Sequence, residues 1–429
     1  MQAHAEFYNM PLNISSFDVV GGFLHIKRTS NVRLFLLIPP NLPHSLVDEY
    51  VEILGALYGL RESNRLFMDE LKRVVLSAGF QGCSISPMTF IVCDPVDPAK
   101  RCALLLHVDD GLPLDTDPAL TDRLLEVLEK RFGPLTQQRN VKSVVFAGVE
   151  IVQHANGAIS TTQDAYISRS AREVGVAHLP SVVFPCQVSE EDCQPVAPIT
   201  YQSLTGKLIQ VLKTRDEVRP FVAHSCSRNA NPTEGDYAKA LHLLRYLYST
   251  PGIGRVYKAS APVIFAHADA AFGFHENGCS SGAYFLSVGH DNAPFHTKAQ
   301  SQVDVAPCQM SSEYMCASGA CKSIVHYRQF ALELGFSQVS STPLALDNKT
   351  SIDLSRAPEI TKKSKHIPVY YHYIRQLVER EVIDPVYVSS SNMRADILTK
   401  IFSKNSFLCQ RDGLFNLSSL PGYTGLGKC

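Results

Sequence analysis

Short unbroken apolar runs predict several buried strands in the first part of the chain. Residues 31–40, 88–93 and 102–108 have the length of such strands and are bounded by turn residues. The last run leads into Asp109-Asp110-Gly111, where the Asp-Gly pair is typical of a tight hairpin turn. The pattern therefore predicts a β-ribbon with two adjacent carboxylates at its tip. Upstream, Asp18 follows another apolar start and could join them.

Apolar residues at helical spacing predict two helices in the same part of the chain. The first covers 45–79 and the second covers 121–132, where a Gly-Pro pair stops it. An Asn-Gly pair at 156–157 then predicts a hairpin between the runs at 146–151 and 159–162.

The second half of the chain alternates helices with strands, several of which end in an acid. Residues 180–199 are rich in Pro, Ser and acids and predict a linker. The later elements are predicted as helices at 204–212 and 237–248, strands at 263–269 and 281–288, a helix at 313–335, a strand at 344–347, a helix at 366–381, a strand at 385–389 and a last helix that begins at Asp396. The predicted fold class is α/β (α+β).

The composition limits the class of protein. The chain has 429 residues, 45% of them hydrophobic, which is enough for about two to four domains. Lys plus Arg number 40 against 41 for Asp plus Glu, so any nucleic-acid-binding surface must be local. The twelve cysteines show no metal-ligand spacing and are expected to be reduced in an intracellular protein. Neither a membrane span nor a signal peptide is predicted.

The adjacent acids Asp109 and Asp110 point to metal chemistry. Neighbouring carboxylates repel each other and raise each other's proton affinity. A divalent cation between them keeps both ionised, and Mg²⁺ prefers one or two carboxylates together with substrate phosphates. The alternative is an ordinary polar turn, because Asp-Asp-Gly is common in turns.

The ordered motifs of the first part resemble the reverse transcriptase of copia-like retrotransposons. The segments that carry this resemblance are Phe17-Asp18-Val19 with Phe23-Leu24, Ala56-Leu57-Tyr58-Gly59-Leu60-Arg61, Val108-Asp109-Asp110, the hairpin from Phe146 to Ile151, and Gln163-Asp164-Ala165-Tyr166-Ile167. Residues 201–206, 214–216 and 244–247 resemble the helical connection of the same polyproteins.

The last part of the chain resembles the ribonuclease H of these elements. The segments that match are Ala268-Asp269-Ala270-Ala271-Phe272, Ser312-Glu313-Tyr314-Met315, Leu346-Asp347-Asn348 and Ala395-Asp396-Ile397-Leu398-Thr399-Lys400. Each segment is weak alone, but the whole ordered set is very unlikely by chance. His267-Ala268-Asp269 also fits a family form with two acids of which the first is lost, and we keep Asp269 as the matching acid.

The resemblance implies a fold and a domain order. We expect a polymerase palm and thumb with an antiparallel sheet, a helical connection, and a ribonuclease H-like mixed sheet flanked by helices. The implied segments are 1–179 for palm and thumb with the fingers truncated, 180–199 for the linker, 200–255 for the connection, 256–405 for the ribonuclease H-like domain and 406–429 for a C-terminal tail.

The resemblance also implies site residues and ligands. Asp18, Asp109 and Asp110 would be the catalytic acids of the palm, with Mg²⁺ or Mn²⁺ as the cofactor. Phe23 would crowd a ribose 2′-hydroxyl, unless it is a plain core residue, and Arg65 would contact the nucleotide. The four catalytic and metal-binding acids of the ribonuclease H would be Asp269, Glu313, Asp347 and Asp396.

The implied partners are an RNA template, a DNA primer, an RNA–DNA hybrid and deoxynucleoside triphosphates, with no membrane. The implied location is intracellular, in cytoplasmic virus-like particles or in the nucleus.

Two departures from the family pattern weaken the polymerase prediction. Gly21-Gly22 replaces bulkier residues and would loosen the strand after Asp18. Glu62 stands where the family has an amide facing the nucleotide, and its charge would repel a triphosphate. The predicted function is therefore reverse transcription with ribonuclease H activity, the polymerase being impaired. The alternatives are a catalytically inactive nucleic-acid-binding remnant and a ribonuclease H that is active alone.

Overall fold

The computed structural model describes residues 1–28, 32–38, 50–186, 194–273, 279–359, 365 and 367–425. The chain forms two compact units, Met1–Ala147 and Gly148–Cys429. Their boundary lies within the segment predicted as palm and thumb. The finer division into five segments stays a prediction.

Unit 1 consists of short strands, two long helices and one short N-terminal helix. Its elements in chain order are α1 (Gln2–Phe7), β1 (Asn13–Ile14), β2 (Ser16–Asp18), a 3-10 turn (Gly22–His25), β3 (Phe35–Leu37), β4 (Tyr50–Glu52), α2 (Ser63–Ser77), β5 (Gln81–Gly82), β6 (Thr89–Cys93), β7 (Arg101–His107), β8 (Asp110–Asp115), α3 (Pro118–Phe132), β9 (Thr136–Gln138) and β10 (Ser143–Phe146).

An antiparallel sheet with the order β5-β6-β7-β8-β2-β9 forms the centre of unit 1, and β1 also pairs with β8. Helices α2 and α3 supply the buried residues that cover it, such as Phe67 and Leu71 from α2 and Leu124 from α3. Helix α3 begins where the Asp117 side chain accepts a hydrogen bond from the Ala119 amide. The order of the sheet brings β2 beside β8, and so places Asp18 next to the predicted acid pair.

The structure corrects the helix predicted over 45–79. Residues 50–52 form strand β4, and the helix begins only at Ser63. Gly59 explains part of the difference, because it adopts a φ of 92° that ends any helix before it. Leu54, one of the apolar residues at helical spacing that predicted this helix, is exposed. The parts of these predictions that fall on 39–49 lie outside the described residues.

Unit 2 contains the remaining strands and helices. Its elements in chain order are β11 (Val149–Gln153), β12 (Ile159–Thr162), α4 (Asp164–Glu173), α5 (Pro198–Val211), α6 (Arg219–Ser227), α7 (Glu234–Ser249), β13 (Arg255–Tyr257), β14 (Ile264–Ala271), β15 (Ser281–Val288), β16 (His296–Ser301), α8 (Gln309–Glu333), β17 (Thr342–Leu346), α9 (Lys349–Arg356), α10 (Tyr373–Glu379), β18 (Ile383–Tyr387) and α11 (Lys404–Phe415). Further 3-10 turns cover Asp216–Val218, Val369–His372, Ser390–Asn392, Asp396–Leu398 and Leu417–Ser419.

A mixed five-stranded sheet with the order β16-β15-β14-β17-β18 organises the second half of unit 2. Strands β14 to β16 pair antiparallel, whereas β17 and β18 run parallel to β14. Alternate residues of β14, among them Ala266, Ala268 and Ala270, face a core that includes Ala317 and Ala320 of α8. Asp269 has the opposite parity along the strand. The predicted mixed sheet flanked by helices is confirmed, and the fold class is α/β with antiparallel and mixed sheets.

A second core of unit 2 joins segments that are far apart in the sequence. It contains Leu204 of α5 and Leu244 of α7 together with Phe285 of β15 and Phe407 of α11. The residues predicted as a C-terminal tail thus include a packed helix. The regions predicted as connection and ribonuclease H domain share this core.

Two further expectations concern cysteines and membranes. Among the described residues, nine cysteines are free thiols. Cys409 is disulfide-bonded, so the expectation that every cysteine is reduced is wrong at this position. In the parts of the chain that the structure describes, no helix is both long enough and apolar enough to cross a membrane.

Candidate functional site

Two strands of the mixed sheet bring Asp269 and Asp347 together. Asp269 lies near the end of β14, and Asp347 directly follows β17. These strands are parallel neighbours in which Ala266 pairs with Leu344. The same register, continued by three residues, places the two acids side by side.

Asp396 completes a group of three carboxylates. It begins the 3-10 turn Asp396–Leu398, whose Ile397 and Leu398 side chains are buried in the second core of unit 2. The carboxylate oxygens of Asp269, Asp347 and Asp396 lie within 4.8 Å of one another. Across the described residues, this is the one group of three acidic, His or Cys side chains with that geometry.

Glu313 lies in the second turn of α8, close to the same group. Its Oε1 accepts a hydrogen bond of 3.0 Å from the side-chain amide of Gln309. Its Oε2 is buried and has no hydrogen-bond partner. A buried carboxylate oxygen without a partner is costly unless a cation or a proton satisfies it. The Glu313 carboxylate is therefore suited to bind a cation or a proton.

Two of these acids, Glu313 and Asp396, have raised pKa values. Burial raises the pKa of Glu313 to about 7, and the nearby carboxylates of Asp347 and Asp269 add to the rise. Burial also raises the pKa of Asp396 to about 6, with a further contribution from Asp269 and an opposing one from Lys400. Acids whose pKa values are strongly shifted and which lie close together are typical of functional sites.

Three polar side chains hold the acids in place. Ser390 donates a hydrogen bond of 2.9 Å to Oδ2 of Asp347, and Thr399 donates one to Oδ2 of Asp269. The ammonium of Lys400 lies 2.9 Å from Oδ1 of Asp396 and 3.4 Å from Oδ1 of Asp269. The sequence prediction gave these three residues no role. The four-residue spacing of Asp396 and Lys400 was the one signal of an ion pair.

The donor set fits a divalent cation that prefers oxygen ligands. Carboxylate oxygens are the side-chain ligands that Mg²⁺ and Mn²⁺ prefer, and neither His nor Cys belongs to this group. The partnerless Oε2 of Glu313 offers a fourth carboxylate beside the group. The residues present therefore suit the cofactor that the sequence predicted.

In unit 1, Asp18 and Asp110 lie directly opposite each other. Strands β2 and β8 pair antiparallel, and their register matches Asp18 with Asp110. The hairpin turn differs from the prediction, because Val108 and Asp109 form it and Asp110 already belongs to β8. The carbonyl of Asp109 accepts a hydrogen bond of 3.1 Å from the amide of Val19, which ties the turn to the end of β2.

Two acids of unit 1, Asp18 and Asp110, also have raised pKa values. Burial raises the pKa of Asp18, and both Asp109 and Asp110 add to this rise. Burial and then Asp109 raise the pKa of Asp110, against the effect of His107. The three acids of unit 1 do not form a group as close as the one in unit 2.

The two glycines after Asp18 have specific structural roles. Gly21 adopts a φ of 63°, which favours glycine. A Cβ on Gly22 would lie 2.7 Å from the ring of Phe67, so only glycine fits there without a shift. The expectation that these glycines loosen a strand is wrong, because they form a tight turn against α2.

Phe23 and Arg65 lie in different environments. The ring of Phe23 is buried against Tyr58 and Phe67, with centroid distances of 4.6 and 5.5 Å. This packing agrees with the alternative that Phe23 is a core residue. Its contact with a ribose 2′-hydroxyl stays a prediction. Arg65 is exposed on α2, and its contact with a nucleotide also stays a prediction.

Glu62 has a cationic partner that the sequence did not reveal. The Nε of Arg28 lies 2.5 Å from Oε1 of Glu62, and the Arg28 side chain is almost fully buried. Arg28 also donates to the carbonyls of Ile53 and Val32. The guanidinium offsets the charge of Glu62, so the expected repulsion of a triphosphate by an unpaired carboxylate does not apply.

Comparisons with known proteins give the chain a family context. No family profile matches the chain. The chain is 26% identical over 426 residues to the retrovirus-related Pol polyprotein of transposon TNT 1-94 from Nicotiana tabacum, covering 94% of the chain and 31% of that protein. It is also 26% identical over 403 residues to the retrovirus-related Pol polyprotein of transposon RE1 from Arabidopsis thaliana, covering 92% of the chain and 27% of that protein.

The chain is a homologue of transposon Pol polyproteins. It spans less than a third of the length of these two relatives. Pol homology thus agrees with the resemblance found in the sequence, and it gives the chain an enzyme ancestry.

Solved structures show weaker likeness. An RNase H1 isolated from compost is 14% identical, with 32% of this chain and 92% of that one covered and a TM-score of 0.26. The prototype foamy virus protease–reverse transcriptase is 11% identical, with 91% of this chain and 45% of that one covered and a TM-score of 0.25. These TM-scores are too low to support a functional assignment.

Proposed function

We propose that unit 2 of this Pol homologue cleaves the RNA strand of RNA–DNA hybrids. The observation that carries the proposal is the group formed by Asp269, Asp347 and Asp396, whose carboxylate oxygens lie within 4.8 Å of one another. Glu313, whose buried Oε2 has no hydrogen-bond partner, is the fourth acid of this site. Two divalent cations held by such acids stabilise both the attacking and the leaving oxygen of a phosphodiester during hydrolysis.

Some residues of the site would bind the metal ions, and others orient the carboxylates that bind them. Asp269, Asp347, Asp396 and Glu313 would hold Mg²⁺ or Mn²⁺. Ser390 and Thr399 orient the Asp347 and Asp269 carboxylates through the hydrogen bonds described above. This fixed geometry reduces the reorganisation needed when substrate binds.

Selection of the RNA strand requires contacts to its 2′-hydroxyls, which distinguish RNA from DNA. Acids alone would repel the phosphates of any nucleic acid, so the cations also form part of the substrate-binding surface. A DNA–DNA duplex should therefore bind without being cut.

The test is cleavage of a labelled RNA–DNA hybrid by the purified chain with Mg²⁺ or Mn²⁺. We expect Asp347→Asn to lower the rate at least about a hundredfold, because it removes a metal ligand. Asp353→Asn is the matched control, since Asp353 is exposed on α9 outside the acid group. Equal loss in both variants, or no loss in Asp347→Asn, would overturn the assignment.

We propose as a second activity that unit 1 extends a DNA primer on an RNA template. The supporting observation is the direct pairing of Asp18 with Asp110 beside Asp109, together with the raised pKa values of Asp18 and Asp110. The neutralised charge of Glu62 removes one objection to triphosphate binding. Phosphoryl transfer there would depend on Mg²⁺ and on positioning of the 3′-hydroxyl and the deoxynucleoside triphosphate.

Primer extension by the wild type and by Asp110→Asn tests this second activity. Asp69→Asn, a change at an exposed position of α2, is the control. Extension that Asp110→Asn abolishes and Asp69→Asn retains would support the polymerase. Hybrid cleavage without extension would favour a ribonuclease H that is active alone, and binding of hybrid with neither reaction would favour the inactive remnant.

A further inference from the structure

Lys400 contacts two of the acids that are assigned to the metal. Its ammonium lies 2.9 Å from Oδ1 of Asp396 and 3.4 Å from Oδ1 of Asp269. It thus bridges carboxylates that come from two different elements, the 3-10 turn Asp396–Leu398 and strand β14. The ammonium of Lys400 thus lies between two carboxylates, where a bound metal ion would also lie.

The backbone fixes Lys400 in this position. Its amide donates a hydrogen bond of 2.8 Å to the carbonyl of Asp396. The neighbouring Thr399 is buried and donates to the other oxygen of Asp269. The side chain of Lys400 therefore starts beside the acids, and 39% of its surface is exposed. Such a side chain can reach the acids and can also swing towards solvent.

The chemistry of lysine suits an exchangeable counter-ion. The ammonium is a compact point charge on a flexible four-carbon stem, whereas a guanidinium is a planar fork. Three acids so close together repel one another strongly at low dielectric unless a cation lies near them. A cation that belongs to the chain would keep the acids gathered whenever no metal is bound.

We propose that Lys400 is a built-in counter-ion of the acid group, which a divalent cation must displace from Asp269 and Asp396. The inference rests on the proposed metal-dependent function and adds a regulatory property to it. Lys400 preserves the geometry of the site at low metal concentration and sets a threshold concentration for loading. Lys400 is a positioning residue in this account, because it acts through the two carboxylates.

The test measures metal binding and not activity. Titration of the full chain with MnCl₂, followed by calorimetry or by the electron paramagnetic resonance of free Mn²⁺, gives the dissociation constant. We expect Lys400→Met to bind Mn²⁺ about tenfold more tightly, the factor that follows if Lys400 occupies the acids for about nine-tenths of the time. Lys400→Arg keeps the charge and should bind Mn²⁺ no more tightly than the wild type. Lys404→Met changes an exposed lysine of α11 and is the matched control.

A second readout covers the metal-free state. In EDTA, Lys400→Met should melt at a lower temperature than the wild type and Lys404→Met, because Asp269 and Asp396 then repel each other without a counter-ion. Saturating Mn²⁺ should remove that difference. If Lys400→Met folds only with metal, the midpoint of Mn²⁺-induced folding replaces the dissociation constant, and an unstable metal-free state is the expected result.

The outcomes separate this inference from the function on which it rests. If the wild type binds no Mn²⁺ at the acid group, as judged against Asp347→Asn, the proposed metal-dependent function fails. If the wild type binds Mn²⁺ but Lys400→Met binds it equally well or more weakly, the function stands and the counter-ion role is overturned. A weaker affinity for hybrid with unchanged Mn²⁺ affinity would instead assign Lys400 to the substrate.

Discussion

The ring of Phe17 covers Gly111 so closely that no other residue fits at position 111. A Cβ on Gly111 would lie 2.1 Å from Cζ of Phe17. The two residues pair across β2 and β8, next to the Asp18 and Asp110 pair. The glycine of the Asp-Asp-Gly segment therefore serves close packing between strands, which lets the two acids face each other.

Gly111→Ala should destabilise unit 1, because its methyl group forces Phe17 out of its position. Overpacking of this kind costs about 1–3 kcal/mol. Denaturant unfolding, followed by a probe in unit 1, measures the change. Gly82→Ala is the control, since its Cβ would make an ordinary contact of 3.5 Å with Phe90, and a change within about 0.5 kcal/mol is expected. An equal effect of both substitutions would contradict the packing role of Gly111.

Glu313 should make the metal-free protein less stable as the pH rises. Burial, with Asp347 and Asp269, raises its pKa from 4.5 to about 7 in the folded chain. The folded state then holds a proton that the unfolded state has released, so this contribution is full below about pH 4.5 and is lost as the pH approaches 7. The loss is of the order of 3 kcal/mol.

The measurement compares the wild type with Glu313→Gln in EDTA between pH 4.5 and 8. Another acid of the site also titrates in this range, because burial and the nearby Asp269 raise the pKa of Asp396 to about 6. The difference between the two proteins isolates the contribution of Glu313. A difference that does not change with pH would contradict the raised pKa.

A buried ion pair in unit 2 gives a third prediction. Arg215 and Glu217 are fully buried, and Nε of Arg215 donates a hydrogen bond of 2.8 Å to Oε1 of Glu217. Arg215→Met would leave the Glu217 carboxylate buried without its cation, which costs about 3–5 kcal/mol. Chemical denaturation measures the loss.

Arg169→Met serves as the control for this ion pair. Arg169 is exposed and lies 3.9 Å from Glu173, so its loss should cost at most about 1 kcal/mol. The double variant Arg215→Met with Glu217→Gln should recover part of the stability, because the Glu217 charge is then removed together with its cationic partner. A double variant less stable than Arg215→Met would indicate that the hydrogen bonds of the pair, and not its charge balance, dominate.

The sequence predicts those strands and helices best in which the spacing of apolar residues fits only one type of secondary structure. Helix α3, from Pro118 to Phe132, has an apolar stripe and clear stop signals, and β6 and β7 are unbroken apolar runs. The helix prediction failed over 50–62, where Gly59 interrupts the apolar residues at helical spacing. Spacing alone cannot show that such residues are exposed on a two-stranded ribbon.

The acids of the candidate site could be selected from sequence order, but their surroundings could not. Asp269, Asp347 and Asp396 lie far apart in the chain, and only the register of β14 with β17 and the turn at Asp396 bring them together. The partners Arg28 for Glu62 and Thr399 for Asp269 depend on tertiary contacts that no local pattern records. The sequence thus shows which residues are charged, but it does not show which partner offsets or hydrogen-bonds each charge.

Cleavage of one hybrid substrate tests whether unit 2 is a ribonuclease that acts on RNA–DNA hybrids. The substrate carries a labelled RNA strand paired with DNA, and an otherwise identical DNA–DNA duplex accompanies it. We expect the wild type to cut only the RNA strand and to require Mg²⁺ or Mn²⁺. We also expect Asp347→Asn to abolish cutting while Asp353→Asn retains it. Cutting that persists in Asp347→Asn or in EDTA, or a folded wild type that binds Mn²⁺ but leaves the hybrid intact, would contradict the proposed function.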